Sequence, residues 1–381
     1  MAMADRMVLS PDADHTGRDL GEDALVLLRQ GQQHARRVGG TRMTGTTGAV
    51  PAILMVAPSR ELTFVEHDVQ ILSKAYRVEI VTRGQFPGRR RLLPEVWRRL
   101  RDGGHAIVYL WFAEPHDSPF VILLARLLGR RTAVAAGGYE LTALPELGYG
   151  GLIRRADRAK VQLALKLADA VLPTSDLLAD EVHMLCTPKW MRVIYPGVDC
   201  ARFAPDGARE RMVVTVGTAS EATWRLKGLD VFAHCSRLVP DARFVIVGPC
   251  PDSAIGRRLR ELGGTNLELT ERRLSEDEVA RVFQRARVAV QLSARESFGL
   301  ALAEAMAAGC IPVATRTGFL PDVVGDTGFL VEAGDVTGAA GAIRAALERT
   351  DGTAARTRVR DRFPCELREQ ALLESMRRLV G

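Results

Sequence analysis

The sequence predicts an α/β protein with two doubly wound, Rossmann-like domains that face each other across a cleft. The chain has 381 residues, more than a single core of common size holds. Short apolar runs of strand length alternate with segments of helical spacing, as in a parallel sheet covered by helices on both faces. The alternation stops at a proline-containing linker over residues 193–205 and then starts again.

The first part of the chain is expected to hold an extension and one domain. Residues 1–48 are rich in Gly, Thr, Asp and Arg, so we expect a flexible extension in which only Asp23–Gln33 has helical character. Residues 49–200 form the first predicted domain. Its strands are Ala49–Ala57, Tyr76–Thr82, Ala106–Trp111, Thr132–Ala136 and Ala170–Thr174. Its helices are Phe64–Ser73, Pro94–Arg101, Pro119–Leu128 and Ala156–Ala168.

Residues 201–362 form the second predicted domain. Its strands are Met212–Val216, Arg243–Val247, Asn266–Thr270, Val288–Leu292, Ile311–Ala314 and Gly328–Val331. Its helices are Gly228–Arg237, a segment from Ser275 to Ala286, Gly299–Ala308 and Val336–Glu348. Ser275 and Glu278 have the spacing of a capping box, and Gly309 is suited to end the third helix. Residues 363–381 contain a last amphipathic helix, Cys365–Leu379.

The composition favours a cytoplasmic protein. Apolar residues make up 47% of the chain, as in globular proteins. The longest apolar run, Pro119–Leu128, is far shorter than the roughly 20 residues of a membrane-spanning helix. The polar first fifty residues do not have the pattern of a secretory signal. None of the six cysteines forms a C-x-x-C pair, so we expect reduced thiols and no metal site.

The net charge of +6 has two interpretations. Only five of the 52 basic residues are Lys, so a coding preference for Arg, spread over a solvated surface, explains most of the charge. Clusters at Arg89–Arg91, Arg98–Arg101 and Arg154–Lys160 can instead attract anions, and for the first two a peripheral membrane contact is the alternative hypothesis. Nucleic acid is not expected as a partner, because no aromatic platform or reading motif accompanies these clusters.

The strongest candidate site lies where a predicted helix begins near Phe298. The backbone N–H groups of Phe298, Gly299 and Leu300 are placed to attract an anion at the helix N-terminus, and Gly299 allows close approach to the backbone. Glu296, in the preceding loop, offers acceptors to sugar hydroxyls. Glu304 lies in an alanine-rich stretch and needs a hydrogen-bonded partner such as a ribose diol. The alternative is that both are ordinary surface or helix glutamates.

Three further groups are predicted to face the cleft. Arg225 and Lys227 follow a strand of the second domain and can neutralise a diphosphate. Gly137-Gly138-Tyr139-Glu140 follows a strand of the first domain, and Glu140 can bind hydroxyls of acceptor or donor. His116 can bind or deprotonate an acceptor hydroxyl. A tight turn, for the glycines, or a solvated charge is the alternative in each case.

The stretch ESFGLALAEAMAAGCIPV, Glu296 to Val313, resembles the E-x7-E signature of the family-4 retaining glycosyltransferases, which have the GT-B fold. Residues 195–199 (YPGVD), 318–322 and 328–331 are similar to other stretches of that family. The chain departs from it in three places. Thr218 stands where Arg often follows Gly217, the Gly-Gly-Tyr-Glu loop replaces the usual His-Gly, and Asp322 replaces the usual Glu.

The resemblance implies transfer of a sugar from a nucleotide-diphosphate donor to a hydroxyl acceptor, namely a saccharide, a lipid-linked saccharide or a small natural product. It implies retained configuration, front-face substitution without a protein nucleophile, and no metal or cofactor. Lys227 and Glu296 are the predicted catalytic residues. The donor-binding residues are Arg225, Gly217, Thr218, Ser297, Phe298, Gly299, Leu300 and Glu304, and the acceptor-side residues are Gly138, Tyr139, Glu140 and His116.

The resemblance also implies that the last helix crosses back to the first domain. Two alternatives remain open at this point. The first is a nucleotide-sugar epimerase with the same fold, and the second is a non-catalytic nucleotide-sugar-binding protein.

Overall fold

Residues 50–381 are described by a computed structural model, in which two parallel sheets organise the chain. The predicted extension over 1–48, with its helix at Asp23–Gln33, lies outside the described residues. We refer to residues 50–200 as the first half and to residues 201–362 as the second half. Both sheets are covered by helices, so the predicted α/β class is confirmed.

The first half holds a five-stranded sheet. Its strands are β1 (Ala52–Ala57), β2 (Arg77–Thr82), β3 (His105–Trp111), β4 (Arg131–Ala136) and β5 (Ala170–Pro173), in the order β2-β1-β3-β4-β5. Its helices are α1 (Thr63–Ser73), α2 (Arg89–Asp102), α3 (Ser118–Leu127), α4 (Arg155–Leu167) and α5 (Asp176–Leu185). The strand β1, which lies between β2 and β3, is buried along its whole length, which its uninterrupted apolar sequence explains.

The second half holds a six-stranded sheet. Its strands are β6 (Glu210–Val216), β7 (Arg243–Pro249), β8 (Leu267–Glu271), β9 (Ala286–Gln291), β10 (Ile311–Thr315) and β11 (Phe329–Val331), in the order β11-β10-β9-β6-β7-β8. The helices from here to the end of the chain are α6 (Leu229–Leu238), α7 (Ser253–Leu262), α8 (Glu276–Arg285), α9 (Leu300–Ala307), α10 (Leu320–Val324), α11 (Val336–Glu348), α12 (Thr353–Arg362) and α13 (Cys365–Val380).

The strand order of each sheet reverses at one point. In the first sheet the chain moves from β1 outward to β2 and then returns to β3 on the other side of β1. In the second sheet the reversal lies between β6 and β9, which are neighbours in the sheet. Ligands of open α/β sheets bind at the carboxyl ends of the strands at such points. The topology therefore directs attention to the loops after β6 and β9.

Four helices of the structure have no counterpart in the prediction. They are α5, α7, α10 and α12. A signal was present for α5, because Ser175 caps it by accepting from the Leu178 N–H at 3.3 Å and buried apolar residues follow at helical spacing. The helix α12 buries only Ala355 and Val359, so its sequence has almost no apolar period to detect.

The prediction for α2 was wrong at its start. The helix begins at Arg89, five residues before the predicted Pro94. Proline is tolerated in the first turn of a helix and is disfavoured further inside. In the structure Pro94 lies inside the helix, where the arginines before it already have helical geometry.

The last helix, α13, packs on the first half within the unit formed by Val50–Gly381. Its buried Arg368 pairs with Asp68 of α1 at 2.7 Å, and Asp68 also accepts from the Tyr109 hydroxyl at 2.7 Å. Leu372 and Met376 join the apolar cluster on one face of the first sheet. A buried ion pair with additional hydrogen bonds has demanding geometry, so this contact fixes where the chain returns to the first half.

Candidate active site

The loops after β6 and β9 bring Lys227 and Glu296 together. The Lys227 Nζ lies 2.8 Å from Glu296 Oε2, and the two side chains are 30% and 15% exposed. Both residues lie at the carboxyl edge of the second sheet, at the point where its strand order reverses. Residues that are 69 positions apart in sequence thus form one charged pair where ligands of such folds bind.

Close backbone contact holds the two loops in register. The Ala294 N–H donates to the Leu226 carbonyl at 2.8 Å. Gly228 has a φ of +63°, and a Cβ atom there would lie 2.1 Å from the Leu292 carbonyl oxygen. Only glycine fits this position. The Lys227 N–H donates to the Thr223 carbonyl at 2.8 Å, which shapes the turn that presents the ammonium group.

Glu296 is oriented by three donors on one of its oxygens. Besides Lys227, the Gln291 Nε2 donates to Glu296 Oε2 at 2.5 Å and the Ser293 hydroxyl at 3.3 Å. Among the described residues nothing donates to the other oxygen, Oε1, so it can accept from a ligand hydroxyl. Gln291 and Ser293 were missed from the sequence. A glutamine at the end of an apolar strand was the signal.

The start of α9 presents backbone donors beside this carboxylate. Gly299, with a φ of +96°, precedes the helix. Within residues 50–381 the N–H groups of Phe298, Gly299 and Leu300 donate to no protein acceptor. The Phe298 ring is buried and stacks on Phe319 with ring centroids 5.9 Å apart. Phe298 therefore anchors the loop through its ring, and only its backbone is available to a phosphate.

Glu304 lies one turn into α9 and is partly buried. Burial, with a smaller contribution from the negative charge of Glu276, raises the pKa of its carboxyl to about 8, and the positive charge of Arg202 opposes this shift. No described side chain forms a hydrogen bond with the carboxyl group. Glu304 is therefore largely protonated at neutral pH, so it can both donate to and accept from a diol.

The remaining donor-side candidates have smaller roles in the geometry. Gly217 donates to the Val247 carbonyl at 2.9 Å, and a Cβ there would lie 3.7 Å from the Lys227 side chain. The Thr218 carbonyl accepts from the Thr223 hydroxyl at 2.6 Å. Arg225 is exposed and its guanidinium stacks on Trp224, 4.9 Å from the ring centroid. Of the two cations singled out in this loop, Lys227 is the one paired with Glu296.

The glycine loop of the first half touches the Glu296 loop. Gly138 has a φ of +120°, and a Cβ atom there would lie 1.8 Å from the Ser297 hydroxyl oxygen. Two predicted site residues from opposite halves of the chain are thus in direct contact, and the contact requires glycine. Ser297 is partly buried in this position.

The prediction that Glu140 binds ligand hydroxyls does not fit the structure. Glu140 is fully buried, and its carboxylate accepts from the N–H groups of Gly137 and Gly138 at 2.9 and 3.0 Å. Burial raises the pKa of this carboxyl to about 7, although these hydrogen bonds oppose the shift. Its oxygens are used to hold the glycine loop in shape, so it acts as a positioning residue.

Two tyrosines stand beside the glycine loop. Tyr139 is 41% exposed and packs edge to face on Tyr149, with ring centroids 5.1 Å apart. Burial raises the pKa of Tyr149 to about 12, and the negative charges of Glu296 and Glu140 contribute. The negative charge of Glu296 therefore acts on a residue of the first half. Tyr149 was missed from the sequence because it follows a turn with no motif.

An ion pair links the two halves next to Glu296. The Arg295 Nη2 lies 2.5 Å from Glu181 Oε1 of α5, with side chains 19% and 13% exposed. Burial raises the pKa of Glu181, and Arg295 opposes this shift. This pair was missed because α5 itself was not predicted. It fixes the residue before Glu296 against the first half.

His116 lies in the first half, on the loop that follows β3. It is exposed after β3 and lines a cavity with Arg89, Pro115, Phe120 and Lys160. Within residues 50–381 no cluster of three or more His, Cys, Asp or Glu side chains is arranged to hold a metal ion. Across the same residues, no helix combines the length and the apolar character needed to span a bilayer.

Comparison with known proteins agrees with this geometry. Residues 210–349, which include Lys227, Glu296 and Glu304, match the family model described as glycosyl transferases group 1. The N-acetyl-alpha-D-glucosaminyl L-malate synthase of Bacillus anthracis is 28% identical over 61% of this chain and 63% of its own length. The MMP alpha-(1->4)-mannosyltransferase of Mycolicibacterium hassiacum is 30% identical over 52% of this chain and 48% of its own.

A D-inositol 3-phosphate glycosyltransferase of Mycobacterium sp. (strain KMS) is 31% identical over 50% of this chain and 48% of its own length. The chain thus spans about half to just under two thirds of these three curated relatives.

Solved structures show the same fold. Sucrose-phosphate synthase from Thermosynechococcus elongatus has a TM-score of 0.72 at 17% identity, over 86% of this chain and 99% of its own. Anabaena HepE, in complex with UDP and glucose, has a TM-score of 0.68 at 18% identity, over 86% and 99% of the two chains. The predicted GT-B fold is confirmed, and the family match supports a glycosyltransferase.

Proposed function

We propose that this protein is a retaining glycosyltransferase that moves a sugar from a nucleotide-diphosphate donor to a hydroxyl acceptor without a metal ion. The contact between Lys227 Nζ and Glu296 Oε2, 2.8 Å apart at the strand-order reversal of the second sheet, carries the proposal. The resemblance to the E-x7-E signature of family 4 agrees with it. HepE, with the same fold, has been solved with UDP and with UDP-glucose, which supports a nucleotide-sugar donor.

The donor roles follow from charge. When the bond between the anomeric carbon and the phosphate oxygen breaks, negative charge grows on the departing diphosphate. The Lys227 ammonium and the free N–H groups of Phe298, Gly299 and Leu300 are placed to stabilise that charge without rearrangement. Glu296 holds a sugar hydroxyl through Oε1, and Glu304 binds the ribose diol.

Retention by front-face substitution fits these roles. Glu296 Oε2 already accepts from Lys227, Gln291 and Ser293. A carboxylate with three donors on one oxygen is a weaker nucleophile than a free one, so it suits binding better than covalent catalysis. The acceptor hydroxyl then attacks from the face that the diphosphate leaves, and its proton passes to the departing phosphate oxygen.

The acceptor side is open to several substrates. Two relatives are named for L-malate and for D-inositol 3-phosphate, so both compounds belong in an acceptor panel with simple saccharides and lipid-linked saccharides. The Gly138 loop and the exposed ring edge of Tyr139 form the surface that such an acceptor contacts.

A cytoplasmic protein with peripheral membrane contact is the second part of the proposal. Trp97 of α2 is 43% exposed, and Leu123 and Leu127 of the adjacent α3 are 41% and 83% exposed. Trp97 lies on the helix that carries the clusters Arg89–Arg91 and Arg98–Arg101, and Leu123 and Leu127 lie on the helix that packs beside it. Apolar and cationic groups together favour an anionic bilayer surface. Sedimentation with anionic but not with neutral vesicles is the expected result.

A donor screen tests the main proposal. The full chain is incubated with UDP-, GDP-, dTDP- and ADP-sugars, with and without EDTA, and nucleotide release is measured alone and with the acceptor panel. We expect release from one donor class, stimulated by an acceptor and unchanged by EDTA. Conversion of the donor to an epimer without nucleotide release would instead indicate the epimerase. A thermal shift without turnover would indicate a binding protein.

A further inference from the structure

A cavity of about 340 Å³ opens in the first half, lined by Arg89, Pro115, His116, Phe120 and Lys160. His116 follows β3, so the cavity lies at the carboxyl edge of the first sheet, beside its strand-order reversal. Three of the five lining residues are basic. The volume falls within the range of small-ligand sites, and the position is the one that α/β folds use for ligands.

Arg89 supplies a free and oriented guanidinium group. It is exposed, and among residues 50–381 no carboxylate pairs with it. Its guanidinium lies over the Phe120 ring, 4.8 Å from the centroid. A cation–π contact of this kind restricts the side chain without using its N–H donors. Those donors have the fork geometry that matches phosphate and carboxylate.

The acidic groups around the cavity are mostly compensated. Asp157 pairs with Lys160 at 2.9 Å and uses one of the three ammonium donors. Asp117 pairs with Arg83 at 2.9 Å. Glu114 is the remaining acid, and burial raises its pKa. The balance at the cavity is therefore cationic, with Arg89 and the rest of the Lys160 ammonium group available to a ligand.

The cavity is linked to the candidate active site by the tyrosine pair. Burial raises the pKa of Tyr139, and the negative charges of Glu114 and Asp157, which stand around the cavity, contribute. Tyr139 packs on Tyr149, which in turn feels the charge of Glu296. The geometry gives the same link. Tyr139 follows β4, the neighbour of β3 in the sheet, and it comes directly after Gly138, which contacts Ser297. The cavity and the Glu296 loop therefore meet the same carboxyl edge of the first sheet.

We propose that this cavity binds an anionic group of the acceptor, a phosphate or a carboxylate, and so orients the acceptor hydroxyl toward the Lys227–Glu296 pair. This inference rests on the proposed glycosyl transfer and adds the substrate class of its acceptor. Arg89 provides bidentate recognition, Lys160 adds a second charge and His116 a third donor. The anionic group belongs to a soluble ester or acid, or to a lipid phosphate, and the chemistry of recognition is the same.

Direct binding of inorganic phosphate is the first test. The protein is saturated with the nucleoside diphosphate identified in the donor screen, so that the diphosphate site is filled, and phosphate is titrated at low ionic strength. We expect Arg89→Ala and Lys160→Ala to weaken phosphate binding about ten- to a hundredfold, as loss of a charged hydrogen bond does. Arg131→Ala, an exposed arginine at the opposite edge of the same sheet, and Lys166→Ala, an exposed lysine of α4, serve as matched controls.

The results separate this inference from the main proposal. Equal phosphate affinity in Arg89→Ala and Arg131→Ala overturns the cavity assignment even when donor turnover is normal. Selective weakening in Arg89→Ala with no turnover of any donor supports an anion site and defeats the transferase. Glycerol 3-phosphate and vesicles containing phosphatidic acid are then compared as competitors. Displacement by the first identifies a soluble ester and by the second a lipid. Displacement only by a small carboxylic acid such as L-malate identifies a soluble acid, whereas displacement by none of the three overturns the proposal.

Discussion

The two halves of the chain have the same architecture, yet they use their polar residues in opposite ways. In the second half, Lys227, Gln291 and Ser293 all donate to Oε2 of Glu296, so the polar groups of the site are already arranged around one carboxylate oxygen. In the first half, Glu140 is used inside its own loop, and His116 lies at a separate open cavity. Chemistry common to many donors needs a preorganised site, whereas acceptor choice needs an adaptable one.

The family match follows the same division. It covers residues 210–349 and leaves the first half outside. Apart from residues 195–199, the segments with specific resemblance in the sequence also fall in the second half. Under the proposed function, the acceptor is selected in the first half, where the cavity at Arg89 and the tyrosine pair lie.

The largest effect is expected from breaking the preorganised pair. Lys227→Ala and Glu296→Ala should each lower kcat for nucleotide release by about two orders of magnitude or more, since each removes a contact made to the reacting groups. Arg225→Ala is the matched cation in the same loop, and because Arg225 stacks on Trp224 we expect less than about tenfold loss. Steady-state rates at saturating donor measure both.

A different outcome would change which residues are assigned to donor binding. If Arg225→Ala were as damaging as Lys227→Ala, both cations would bind the diphosphate, and the loop would have to move when the donor enters. Near-wild-type rates in Glu296→Ala would remove the central residue of the site.

A smaller effect is expected from separating the halves at Gly138. Gly138→Ala places a methyl group 1.8 Å from the Ser297 hydroxyl and strains a φ of +120°, which we expect to lower kcat/KM by about tenfold or more through a displaced Glu296 loop. Gly148→Ala is the control, because Gly148 also has a positive φ, +60°, but open space around it.

The double variant Gly138→Ala with Ser297→Gly distinguishes the steric clash with Ser297 from the backbone strain at residue 138. Removing the serine side chain should recover part of the lost activity if the clash is responsible. No recovery, together with an equal loss in Gly148→Ala, would mean that backbone strain alone explains the defect and that the contact between the halves is unimportant. Rates and thermal midpoints of all four proteins decide between these results.

The sequence allowed more of the candidate site to be predicted in the second half than in the first, although three of the four helices that were not predicted, α7, α10 and α12, lie in the second half. Strand and helix patterns locate β6 and β9, and the residue types of the loops that follow them are enough to predict Lys227 and Glu296 as site residues. Gln291, which donates to Glu296, and Glu181, which pairs with Arg295, were missed. The first is a polar residue at the end of an apolar strand, and the second lies on a helix that was not predicted. Glu140 was predicted to bind ligand hydroxyls. Nothing in a Gly-Gly-Tyr-Glu sequence reveals that its carboxylate accepts hydrogen bonds from the backbone of its own loop.

The geometry of the cleft also could not be predicted from local sequence patterns. The contact of Gly138 with Ser297 and the return of α13 to the first half join residues that are far apart in sequence. Periodicity reports which face of an element is buried, but it carries no information on which loops meet. Strand order supplies that information, and it follows from long-range packing.

The smallest effect concerns pH and Glu304. Its folded-state pKa of about 8 is raised by burial above the roughly 4.3 of a free Glu, so the folded protein binds a proton more tightly than the unfolded chain. Stability from this group is complete below the unfolded pKa and is lost as pH rises toward 8. Glu304→Gln removes that dependence. Relative to wild type, its thermal midpoint should therefore rise by about 2–4 °C between pH 5 and pH 8.5.

The same variant also tests whether Glu304 binds the ribose of the donor or has only a structural role. Glutamine keeps a donor and an acceptor, as the protonated carboxyl does, so at pH 7 nucleotide affinity should change by less than about threefold in Glu304→Gln and by about tenfold in Glu304→Ala. Above pH 8 the wild-type carboxylate loses its donor, so Glu304→Gln should bind nucleotide as well as wild type or better. Equal affinity of both variants and wild type at every pH would place the ribose elsewhere and leave Glu304 as a buried acid that only lowers stability at high pH.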